Sequence, residues 1–173
     1  MHSLKVFLRF WQLLMMTSMV LMSQSLQAEQ PASDLKQVTA DNLPAFVNQL
    51  SNDYYQQLES LVNYYQLYQQ KRDPRGFNVW HLRGFSPAFT ERQSYYLELQ
   101  DNAATETQQT VASLVEVFND LDAISTQLMV SFRENDPAAY QQAKTLVNDN
   151  NAFLTKQLEA YQLDSEIREI TFN

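Results

Sequence analysis

The 173-residue sequence has no cysteine, only two histidines and only two glycines, and each shortage closes off a kind of chemistry. Without cysteine there is no disulfide framework, lipid-modified cysteine, covalently attached haem or thiol nucleophile. His2 falls in a leader-like segment, which leaves His81 as the one histidine of the remainder. A Ser–His–Asp arrangement needs an imidazole beside its nucleophile, and no serine near His81 carries an elbow motif. Zinc and copper sites want several His or Cys ligands. A carboxylate-bridged di-iron bundle needs Glu-x-x-His pairs, and the residue three before His81 is Asn78. Phosphate cradles need glycine-rich loops, which Gly76 and Gly84 do not make. The expectation is a non-enzyme without catalytic, cofactor-binding or metal-binding residues. The one enzymatic reading left is a hydrolase built on paired carboxylates, which 20 acidic residues keep open.

What is present begins with an export pattern. Lys5 and Arg9 form a positive flank, Phe10 to Met22 is dominated by Phe, Trp, Leu, Met and Val, and Ser23 to Ala28 is polar with a small final residue. The apolar run is short of the roughly 20 residues a membrane span needs, and its far flank carries no stop-transfer charge. Residues 1–28 therefore read as a signal peptide cleaved near Ala28, giving a periplasmic or secreted product with no integral membrane span. That product keeps all 20 Asp and Glu but 10 of the 12 Lys and Arg, a formal charge of −10. So acidic a chain is not expected to bind nucleic acid or anionic lipid generally. Its length suits one domain that folds by packing alone.

The remainder divides into a polar lead-in at 29–40, a helical domain at 41–163 and an extended tail at 164–173. Leu43, Val47, Leu50, Tyr54, Leu58, Leu61, Tyr65 and Tyr68 recur at helical spacing, with Asp41 or Asn42 as cap and Pro44 in the first turn. Asp73-Pro74 stops that helix. Ser86-Pro87 reads as the start of a second, with Phe89, Tyr96, Leu99, Val111, Leu114, Phe118, Leu121, Ile124, Leu128 and Phe132 along its face. Its stripe thins between Gln100 and Thr110, but no glycine or proline interrupts it. Asn135-Asp136-Pro137 opens a third helix through Ala143, Val147, Leu154 and Leu158, with the helix-poor run Asn148 to Asn151 inside it. The expected fold is all-α: an antiparallel three-helix bundle with one long central helix, or four helices if that helix breaks near 101–105.

The segment joining the first two helices is the anomaly. Lys71 to Arg92 holds both glycines, Trp80, His81 and five basic residues, and Arg-Gly-Phe occurs in it twice, at 75–77 and 83–85. A helix hairpin needs only about two to eight linking residues, so 73–87 reads as a long Arg/aromatic loop. It either caps the bundle end or presents a contact site, with Arg75, Phe77, Trp80, His81, Arg83 and Phe85 as candidate partner-binding residues. Glu116, Asp120 and Asp122 share a helical face, as a solvated face or a cation site would. Of the tyrosine pairs Tyr54-Tyr55, Tyr64-Tyr65 and Tyr95-Tyr96, one member each suits the core and the other is left over. The leading functional expectation is an exported protein-interaction module whose partner is another envelope or secreted protein. The alternative is a small-molecule binding or sensing domain with a tyrosine-lined pocket between helices.

Overall fold

The computed structural model describes residues 35–163; the expected signal peptide, the first half of the lead-in and the expected tail lie outside them. The described chain is all-α, as its periodicity implies, with no strand among the described residues. Helix α1 spans Leu43–Lys71 and buries Phe46, Val47, Leu50, Tyr54, Leu58, Leu61 and Tyr65. It ends in a left-handed residue, Arg72 (φ 53°), after which Asp73 N–H donates to the Tyr68 carbonyl.

The expected loop at 73–87 is helical instead. Asp73-Pro74, which stops α1, also starts the next helix: the Asp73 carboxylate accepts from Gly76 N–H at 2.8 Å, and proline suits a first turn. Helix α2 spans Pro74–Trp80, a π-helical turn covers His81–Phe85, and α3 follows at once over Ser86–Asp101. Ser86 N–H reaches the His81 carbonyl, five residues back. Pro87 cannot donate, and its ring would clash with a carbonyl in a tight α-turn, so a widened turn just before it relieves the conflict.

The long central helix is broken, and the four-helix alternative is the one adopted. Residues 102–107 turn, and α4 begins anew at Gln108–Glu134. The break is fixed by a partner remote in sequence. Val38 O accepts from Ala104 N–H at 2.9 Å and from the buried Thr107 hydroxyl at 3.0 Å. Asn135 (φ 53°) closes α4, and Asp136 caps α5, Pro137–Ala160, by accepting from Ala138 N–H. The long helices α1, α3, α4 and α5 run up-down-up-down, with α4 packed against the other three. One core cluster runs the length of the bundle.

Candidate functional site

The turn from α1 into α2 and the join of α4 to α5 place Lys71, Arg72, Arg75, Arg83 and Arg133 at one end of an otherwise acidic molecule. The six candidate residues there divide by helical face. Phe77, His81 and Phe85 point inward and are buried, so they are architecture and not contact surface. Phe77 lies within 5.5–6.2 Å of the rings of Tyr65, Tyr68, Trp80 and Phe132. Phe85 continues the stack to Phe89 and on to Phe118. Trp80 is half-buried, while Arg75 and Arg83 are exposed.

His81 is held by two serines. Ser125 Oγ donates to the Asp122 carbonyl at 2.9 Å, so it takes the His81 Nε2 proton at 3.0 Å; Ser86 Oγ then faces Nδ1 at 3.4 Å. Burial lowers the imidazole's pKa, with Asp122 opposing in part, so the ring is held neutral. Ser125 is wholly buried, which closes its hydroxyl to any substrate. The pair is a core contact with the composition of a catalytic dyad and none of its access.

The outward face of the same segment carries Arg75, Asn78, Val79, Leu82 and Arg83 at helical spacing, all exposed. Leu82 is 60% and Val79 42% exposed, high for aliphatic side chains. Among the described residues Arg72, Arg75 and Arg83 form no ion pair; Lys71 lies 5.5 Å over the Tyr68 ring and Arg133 pairs with Glu134. Beside Arg75, a cavity of about 320 Å³ has Phe77 and Met129 in its lining and Arg133 at its edge. Val79 and Leu82 are legible in the sequence as surplus apolar residues of the segment, but neither they nor Met129 are among the candidate contact residues. The spacing 75, 78–79, 82–83 would have exposed the first two, had the segment been read as helix.

A second concavity lies along the flank. Tyr64 stacks on Trp80 at 4.2 Å and 14°, and with Gln56, Gln57 and Ser60 of α1 the pair borders a groove of about 480 Å³. Gly84, Ala88, Glu91 and Arg92 form its opposite side. The leftover tyrosines thus have three different duties. Tyr55 is buried, Tyr95 accepts from Leu35 N–H, and Tyr64 borders this groove.

The polar run of α5 does put a polar group inside. Asn150 is buried beside Tyr54 and Asp120, yet neither Asn150 Nδ2 nor Tyr54 Oη attains hydrogen-bond geometry. Burial raises the Asp120 pKa, and Glu116 adds to the rise. Among the described residues no group of three or more His, Asp or Glu is placed to hold a metal ion, and no helix is long and apolar enough to cross a membrane. No protein family, curated protein or solved structure matches this chain.

Proposed function

We propose that the protein is an exported, non-catalytic interaction module that holds another envelope or secreted protein by the basic end of its bundle. The observation that carries this reading is the outer face of the 74–85 segment, where Leu82 and Val79 stand exposed between arginines that form no ion pair among the described residues. The segment's inner face is locked by Phe77, His81 and Phe85, so the outer face is presented rigidly and little ordering entropy opposes binding. Arginine is among the residues that carry most interface binding energy, and the exposed aliphatic side chains beside it supply apolar area to bury. The charge selects the partner's chemistry: acidic residues around an apolar anchor that fits the Phe77–Met129 cavity.

The test is in-cell crosslinking followed by capture of the wild-type chain, an Arg75→Glu/Arg83→Glu chain and a Leu82→Asp chain. A partner crosslinked to wild type should be lost from both variants, with affinity falling by about tenfold or more per change and unfolding midpoints unchanged. A partner recovered equally from all three would remove this face from consideration.

A further inference from the structure

We propose that the groove between α1 and the Trp80–Arg92 stretch is a saccharide site that takes one or two pyranose rings. It does not rest on the interface proposed above, since it opens on the flank and not on the Arg75–Leu82 face. A sugar ring has an apolar C–H face and an edge of hydroxyls that both donate and accept, so it needs a rigid aromatic surface rimmed by groups of the same double character.

Both are present. The aromatic surface is that of Tyr64, which keeps 38% of its area exposed and is braced by Trp80 stacked on it at 4.2 Å. Trp80 is itself stacked on Phe77 at 5.7 Å, with Phe85 at 6.1 Å, and gives the groove its indole edge and not a face. At the rim Gln56, Gln57, Ser60 and the Trp80 indole N–H make no hydrogen bond within the described protein, so amide, hydroxyl and indole groups converge on the groove uncommitted. The cavity of about 480 Å³ falls in the size range of small-ligand pockets.

Charge and shape narrow the class. Arg92 is tied to Asp53 at 3.5 Å, and Asp53 also accepts from the Tyr96 hydroxyl at 2.6 Å. With that cation neutralised and Glu91 beside it, the groove has no surplus positive charge for a phosphate or carboxylate. Tyr64 and Trp80 on one side of its lining and Arg92 on the other leave a cavity of about 480 Å³, a volume that suits a short ligand better than an extended peptide. Gly84 keeps the indole edge open: a Cβ there would lie 3.0 Å from Trp80 Nε1.

The experiment titrates the full chain with maltose, cellobiose and N,N′-diacetylchitobiose and follows the indole N–H resonances, with Trp80→Phe separating Trp80 from Trp11. At least one disaccharide should shift the Trp80 signal saturably with a dissociation constant of about 1 mM or tighter. Tyr64→Ala and Gln57→Ala should each weaken that binding by about tenfold, a factor readable in the same titration. Arg83→Glu should leave it unchanged even where it abolishes partner capture. The proposal is overturned if no sugar moves the signal at about 10 mM, or if the shift survives Tyr64→Ala. It is equally overturned if a deca-proline peptide binds the groove and the sugars do not.

Discussion

Phe77→Ala separates a built-in segment from an appended loop. The Phe77 side chain is 1% exposed and packs among four other rings, Tyr65 and Tyr68 of α1, Trp80 of α2 and Phe132 of α4. Its truncation removes apolar contact and leaves a hole between rings too rigid to collapse into it, so the cost should fall at about 3–5 kcal/mol. For a domain of this size, with roughly 3–4 °C lost per kcal/mol, the midpoint should drop by about 9–20 °C. Far-ultraviolet circular dichroism followed through a thermal scan reads this directly. Leu82→Ala, five residues on and facing water, is the control, with an expected change within about 0.5 kcal/mol. If Phe77→Ala melted within about 3 °C of wild type, the segment would not be part of the core, and the claim of a rigidly presented contact face would fail with it.

Two further outcomes follow from buried polar groups. Burial depresses the His81 pKa below its usual 6.5, so the unfolded chain takes up the proton first; stability is full above that value and declines as pH falls below it. Melting scans from pH 8 to 5 should show a decline that His81→Gln reduces, and superimposable slopes would contradict the neutral, serine-held ring. The Tyr54 hydroxyl is buried and, among the described residues, makes no hydrogen bond of good geometry although Asn150 lies beside it, so Tyr54→Phe should leave stability unchanged or raise it by up to about 1 kcal/mol. A loss larger than that in urea unfolding would mean that Asn150 does bond the hydroxyl.

The helix faces were legible because burial repeats with the period of the backbone. Leu43, Val47, Leu50, Tyr54, Leu58, Leu61 and Tyr65 are all core residues, as their spacing implies. The break at 102–107 was not, because the group that fixes it, Val38 O, lies 69 residues from Thr107 and leaves no local mark. The 73–87 segment was misread for the opposite reason, that its local marks are real but ambiguous. Proline and glycine usually punctuate chains, yet neither glycine has positive φ. At Gly76 a side chain would collide with Asp73 and Tyr68, and at Gly84 one would press on Trp80, which would have to give way slightly. Close approach and a turn demand the same residue, and one sequence does not say which applies. The groove was invisible for a third reason: Gln56, Gln57 and Ser60 read as ordinary solvent-facing polar residues until Trp80 is placed across from them.

The π-turn has a consequence for how the segment tolerates insertion and deletion. Phe77 and Phe85, the last residues of the two Arg-Gly-Phe triplets, are eight positions apart. At α pitch eight residues leave the second ring about 80° out of phase with the first, so the two would sit at opposite edges of the inner face. A π-turn advances less per residue, and it brings both rings onto the inner face, where both are buried. The turn therefore acts as a phase corrector between two copies of one tripeptide. Loss of a single residue from His81–Phe85 would let the turn close to ordinary α-helix with the two rings seven positions apart, about 20° from phase, so the stacked face would stay inward; it is a further insertion that the turn has no slack to absorb.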